Sequence, residues 1–351
     1  MHFTSDNAAP IPPRVLAALT AANCGPALPY GRDDLTAALT ARVRTVFEAP
    51  DAAVYLVATG TAANALSLAT LCPPWGAVFC HSHAHVTEDE CGAPEFFTHG
   101  AKLVHVPGDH GRIDPQALRD TIARTGSSLH NVQRGALTLT NVTEAGTVYS
   151  PDSISELAGI ARSFGLPTHL DGARFANALV ATGASPAQMT WQAGVDILSL
   201  GGTKNGLLGV EAVVFFNATP ERLWEFELRR KRAGHLLSKG RYLAAQVLAW
   251  LEDDLWLHLA RDANAAGHAL AAGLAGLPAV TLLHPVDANI LFPEWPAGWH
   301  DHLQGGGAQY YPGDTLAGRE TARLVTSWAT GPAEIRAFLD LIARAPLPAS
   351  P

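Results

Sequence analysis

The chain has 351 residues, 48% of them hydrophobic and 16% charged, which is enough to bury a large core and a smaller one beside it. A net charge of −8 provides no basic stripe to neutralise phosphates, so nucleic acid is not expected as a partner, and no apolar run is long enough to predict a membrane span. The four cysteines, Cys24, Cys72, Cys80 and Cys91, lack CxxC spacing, which disfavours a zinc ribbon or a disulfide scaffold, and with no basic-then-apolar start a reduced cytoplasmic setting is expected.

Residues 1–30, rich in Pro and Ala, read as an extended segment, with Pro10 to Pro13 held out of helix. Asp34 to Glu48 predicts a helix, because Leu35, Ala38, Leu39, Val43 and Val46 fall on one side. Ala53 to Val57 predicts a strand, and the turn Ala58 to Thr61 leads into a helix from Ala62 to Leu71. Strands are then expected at Ala77 to His81, Lys102 to Val106, Gly135 to Asn141, Thr168 to Asp171, Asp196 to Leu200 and Ala212 to Phe216. Helices fall between them, at Asp114 to Arg124 and from Ser150 to Phe164, each with proline in its first turn. Such alternation implies a mostly parallel sheet covered by helices on both faces. Pro220 to about Leu274 reads as helical, and about Leu277 to Arg344 as a shorter α+β segment. The expected organisation is an N-terminal segment 1–30, a large α/β domain 31–250 and a small domain 251–351.

Three sites carry chemistry. Gly201-Gly202-Thr203-Lys204 follows an apolar strand, and an amine past a strand end sits where open α/β sheets bind ligands. A Walker A loop is excluded there by the glycine spacing and by Asn205 after the lysine. Asp171 ends a strand and Arg174 follows three residues on, so a carboxylate and a bidentate cation accompany the amine. That set suits pyridoxal phosphate, which needs an amine for a Schiff base, a carboxylate for its pyridinium nitrogen and a cation for the substrate carboxylate. A surface lysine, a turn-satisfying aspartate and a surface ion pair are the bland readings of the same residues. Thr59-Gly60-Thr61 at a strand-to-helix turn can bind a phosphate. His81, His83 and His85, followed by Glu88, Asp89 and Glu90, form a rival signal: alternating histidines on a strand would share one face and hold the metal of a hydrolase.

The segments Ser5-Asp6-Asn7, Tyr30-Gly31-Arg32-Asp33, Gly60 to Asn64, Ala84-His85, Leu170 to Arg174, Thr203-Lys204 and Arg323 to Thr326 together make the chain resemble the threonine aldolases, fold-type I pyridoxal phosphate enzymes grouped with the β-eliminating lyases. The resemblance implies an aspartate aminotransferase-like fold and retro-aldol cleavage of L-threonine, L-allo-threonine or another β-hydroxy-α-amino acid such as phenylserine to glycine and an aldehyde. The alternative is another pyridoxal phosphate lyase or an aminotransferase on the same fold. Pyridoxal 5'-phosphate would be the cofactor, with no resident metal. The resemblance assigns the Schiff base to Lys204, ring stacking and a proton-accepting role to His85, and the pyridine nitrogen to Asp171. Gly60, Thr61 and Ala62 would hold the phosphate side of the cofactor, with Arg174 also near it. Ser5, Arg174 and Arg323 would take the substrate carboxylate. Tyr30 would reach the site at a subunit interface, and Arg229 to Arg232 and Lys239 would approach a neighbouring subunit's phosphate. A homotetramer, or a dimer with shared sites, follows from the same resemblance. Two departures stand out: the lysine lies in Thr-Lys-Asn-Gly, and Thr143 occupies the position where many members carry a second histidine, with Glu144 beside it as the candidate to compensate.

Overall fold

The computed structural model describes residues 1–346. Seven strands form the main sheet: β1 (Ala53–Val57), β2 (Gly76–His81), β3 (Lys102–Val106), β4 (Gln133–Thr140), β5 (Thr168–Gly172), β6 (Ile197–Gly201) and β7 (Glu211–Phe215). Their order is β1-β7-β6-β5-β4-β2-β3, parallel except for β7, which runs antiparallel to both β1 and β6. Every residue of β2, β5, β6 and β7 is buried, as expected of strands covered on both faces, and this explains why they read as apolar runs rather than as alternations.

The helices begin where their capping residues dictate. Asp33, Thr59, Asp114, Ser150 and Thr219 each accept a hydrogen bond from a backbone N–H three residues on, which satisfies a donor the helix leaves free. The helix Gly60–Leu71 is buried from Ala62 to its end, consistent with its apolar character on all sides. A second sheet is built from β8 (Thr281–Leu282), β9 (Ile290–Leu291), β10 (Pro293–Pro296), β11 (Tyr311–Leu316) and β12 (Arg319–Val325), all antiparallel. The long helix Leu255–Ala275 joins the two units: Trp256, Leu259 and Ala260 belong to the large core, and Ala266, Leu270 and Leu274 to the small one.

The structure corrects the extended reading of residues 1–30, because Pro13–Ala22 is a ten-residue helix. Only Val15 on it is buried, so it leaves no apolar stripe to find. Its Ala and Leu content and Pro13 in the first turn account for it instead. Phe3 joins the small core, and its N–H donates to Gln309 O at 2.7 Å. The exposed strand β11 and the helix Pro332–Ile342 were not foreseen. Residues 347–351 of the expected small domain lie outside the described residues.

Candidate active site

The C-terminal ends of β5 and β6 and the start of Gly60–Leu71 converge on a cleft of about 290 Å³, lined by Gly60, Thr61, His85, Asp171 and Lys204 among others. The short turn Thr203–Asn205 carries Lys204 directly off β6. Asp171 pairs in register with Ser199 on β6 and Thr140 on β4, so it sits at the centre of the sheet. The glycines before the lysine meet other parts of the backbone closely. A Cβ on Gly201 would lie 2.3 Å from Ala173 O, and one on Gly202 2.8 Å from Val210 O. Their bareness lets the lysine turn press onto Ala173, which follows Asp171, and onto Leu207 and Val210.

A line of hydrogen bonds crosses the cleft floor. Asp171 accepts from Ala173 N–H through Oδ1 and from Asn64 Nδ2 through Oδ2, both at 3.0 Å. Asn64 Nδ2 also donates to Glu90 Oε1 at 2.8 Å, and Glu90 Oε1 lies 2.9 Å from His85 Nδ1. These bonds assign the imidazole proton to Nδ1 and fix the ring. Burial works against a charged His85, but the Glu90 hydrogen bond and the Asp171 charge outweigh it and raise the pKa. For Glu90 burial dominates, and its pKa rises although His85 and Asn64 pull it down. Burial, followed by the nearby Arg174 charge, pushes the Lys204 amine below the ordinary lysine range, which favours the neutral, nucleophilic form. Behind the floor His169 is wholly buried, 2.9 Å from both Thr138 Oγ1 and Ser199 Oγ, and burial lowers its pKa to about 4.

At the other wall Ala62 N–H donates to Thr59 Oγ1 at 3.2 Å and Ala63 N–H to Thr59 O at 3.1 Å. The N–H groups of Gly60 and Thr61 are left without a partner in the helix and lie beside the cleft, a donor set that fits a phosphate. The Ala62 N–H is taken up by Thr59, and Ala62 does not line the cleft. With an amine, a carboxylate and two free amide donors around one cavity, the residues present fit pyridoxal phosphate.

Arg174 is buried and already paired. Its Nε donates to Asp6 Oδ2 at 2.6 Å and its Nη2 to Asp6 Oδ1 at 3.0 Å, and Asn289 Nδ2 donates to Asp6 Oδ2 at 3.1 Å. Arg323 is the cation left over: among the described residues it has no ion pair, and burial together with the Arg174 charge lowers its pKa. Ser5 accepts from Asn7 N–H at 3.2 Å and caps the turn Asp6–Ala8, outside the cleft lining. Tyr30 does not line the cleft of its own chain; it is exposed at φ 61°, with Lys231 Nζ 4.9 Å from its ring centre. Arg229 pairs with Glu225, and Arg230 lies over Tyr55.

The three histidines of the metal reading do not share a face. The strand ends at His81, His83 lies in the turn after it and His85 begins a helix. Both ring nitrogens of His81 meet backbone, Nε2 at Gly108 O and Nδ1 at the His83 N–H, and His83 pairs with Glu88 in solvent. Among the described residues the group that could hold a metal is His85, Glu90 and Asp171, within 4.8 Å, and these are joined through Asn64. The sequence suggested no role for Asp6, Asn64 or Glu211, and Glu90 entered it only as one of the acids of the metal reading. Glu211 is buried opposite Gly201 and accepts the Gly202 N–H; its signal was an acid opening the otherwise apolar run Glu211–Phe215.

The family model described as beta-eliminating lyase matches residues 2–295. The low specificity L-threonine aldolase of Pseudomonas aeruginosa is 42% identical over 335 residues, 95% of each chain, and that of a second Pseudomonas strain is 40% identical over the same share. The solved threonine aldolase of Leishmania major superposes with a TM-score of 0.90 at 27% identity, covering 98% of both chains. The aspartate aminotransferase of Thermus thermophilus, at 18% identity and a TM-score of 0.72 over 98% of this chain and 95% of its own, shares the fold.

Proposed function

The chain belongs to the beta-eliminating lyase family, and on that premise we propose that it cleaves L-threonine, L-allo-threonine and other β-hydroxy-α-amino acids, phenylserine among them, reversibly to glycine and an aldehyde. The observation that carries this reading is the 40–42% identity, over 95% of the chain, to two low specificity L-threonine aldolases. Pyridoxal phosphate is the cofactor; when bound it supplies a carbonyl for the substrate amine and a sink for the electron pair released at Cα.

The residues divide that work by position. Lys204 offers the amine that anchors the cofactor. Asp171, held by Ala173 and Asn64, keeps a proton on the pyridine nitrogen. The free N–H groups of Gly60 and Thr61 hold the phosphate. His85, its ring fixed by Glu90, would stack on the cofactor ring. Arg323, the unpaired edge of Arg174 and Ser5 orient the substrate carboxylate, and thereby the bond to be broken.

We also propose a homo-oligomer, a tetramer or a site-sharing dimer, in which a neighbour supplies Tyr30 to the cleft. Exposed Phe96, Trp224 and Leu228 support a buried subunit contact. No helix among the described residues is long and apolar enough to cross a membrane, and a cytoplasmic setting is proposed with it. The test is incubation of the cofactor-loaded protein with L-threonine. Equimolar glycine and acetaldehyde are expected, and a keto acid or ammonia would reassign the chain to transamination or elimination.

A further inference from the structure

We propose that the Glu144 carboxylate takes the proton from the substrate β-hydroxyl, an assignment that rests on the retro-aldol reading above. Glu144 stands on the loop after β4, and that loop is tied down on both sides. Thr143 Oγ1 and Thr147 Oγ1 are 2.9 Å apart, Thr147 Oγ1 donates to His110 O at 2.6 Å, and Gly146 N–H donates to Thr143 O at 2.9 Å. On this fixed loop the Glu144 side chain is partly buried, yet among the described residues it has no hydrogen bond and no ion pair. It borders two hollows, one of about 460 Å³ that it shares with His83, His110 and His284. Thr140, four residues before it, pairs in register with Asp171, so the loop leaves the sheet beside the cleft floor, and the Glu144 charge is felt at His85, Lys204, Arg174 and Arg323 while it is bound to none of them.

A base needs a free lone pair near the proton it removes. His85 is less suited, because Glu90 holds its Nδ1 and raises its pKa. His81 is occupied by backbone at both nitrogens, and Thr143 is engaged with Thr147 and Thr147's neighbours. Unlike these three, Glu144 combines acceptor chemistry, freedom from partners among the described residues and a hollow of about 460 Å³ beside it. In the step, the O–H proton passes to Glu144 and the oxygen lone pair closes the C=O bond of the aldehyde. The Cα–Cβ bond breaks, its electron pair stays with Cα, and a proton later replaces the aldehyde there to give glycine.

The discriminating measurement sets cleavage against exchange of the glycine α-proton with deuterium, which needs the cofactor and the carboxylate site but no β-hydroxyl. In Glu144→Gln, kcat for L-threonine cleavage should fall by about 10²-fold or more, while glycine exchange stays within about threefold of the parent. Glu144→Asp, which keeps the carboxylate, should recover part of the lost cleavage. Cleavage within about threefold of the parent in Glu144→Gln, or an equal loss of cleavage and exchange, would overturn the assignment. A parent protein that exchanges glycine but releases no aldehyde from any β-hydroxy amino acid overturns the retro-aldol reading, and the assignment with it.

Discussion

The Arg174 guanidinium and the Asp6 carboxylate form a buried two-pronged pair, 2.6 and 3.0 Å long, with each side chain 2% exposed. It ties the N-terminal turn to the chain just after β5, and so anchors the segment that brings Asn7 to the cleft. It also changes the division of labour among the cations. A guanidinium read from the sequence as the bidentate partner of a substrate carboxylate already has a partner through two of its nitrogens, and Arg323 becomes the unpaired positive group.

Breaking that pair should be expensive. Asp6→Ala would leave Arg174 charged and buried, at a cost of about 3–5 kcal/mol, whereas Asp6→Asn keeps hydrogen-bonding capacity and should cost less. Burial raises the Asp6 pKa, but the Arg174 and Lys204 charges win and the carboxyl titrates below its ordinary value. A depressed carboxyl stabilises the fold above its unfolded pKa of about 3.9 and loses that contribution as the pH falls through the lower folded value. Urea unfolding at pH 7 and near pH 3 checks both points. The parent should lose this contribution in acid, and Asp6→Asn should lose less.

The central strands were legible because they are buried on both faces, β2 and β5 lying within a residue of their apolar runs; the partly exposed edge strands β1 and β3 also fall where predicted, and the caps at Asp114 and Ser150 mark the true helix starts. The helix Pro13–Ala22 was not legible, because it buries one side chain and lacks a periodic stripe. In the cleft, Lys204, Asp171 and His85 could be found from their places beside strand ends, and the cleft gathers them. Their supports, Asn64, Glu90 and Glu211, could not, because their hydrogen-bond partners depend on how a helix, a loop and a strand come together in the fold. Glu90 was one of three consecutive acids, and only the fold selects the one that reaches His85.

Gly201 tests whether the lysine turn depends on close packing. An added methyl would meet Ala173 backbone atoms at 2.3–2.6 Å, and the backbone cannot yield as a side chain can. Gly201→Ala should cost about 1–3 kcal/mol and displace Lys204, weakening retention of the visible cofactor absorbance. The control is Gly159→Ala, exposed on the helix Pro151–Ser163 with open space around it, which should be neutral or gain about 0.5–1 kcal/mol. Thermal melts with absorbance spectra read both, and equal behaviour of the two variants would dismiss the packing argument.

Glu90 is expected to govern His85. Replacing Glu90 by Gln keeps the shape and the hydrogen bond but removes the charge that, with Asp171, holds the His85 pKa above the ordinary value. The His85 pKa in Glu90→Gln should therefore fall, as followed by NMR titration of its ring protons. An unchanged His85 titration would mean that Asp171 sets the value without help from Glu90.

His169 predicts an acid-side loss of stability separate from that of Asp6. Its folded pKa of about 4 lies below the ordinary histidine value of about 6.5, since burial excludes the charged ring. For a base with a depressed pKa, the unfolded chain binds the proton first. The neutral ring is therefore free of penalty above pH ~6.5, and stability falls as the pH is lowered toward 4, reaching a loss of about 3 kcal/mol. His169→Gln removes the titration while keeping groups that can meet Thr138 and Ser199. Its stability should be lower than the parent's at pH 7.5 but flatter between pH 6.5 and 4 in urea unfolding. A parallel fall in both proteins would assign the acid sensitivity to other groups.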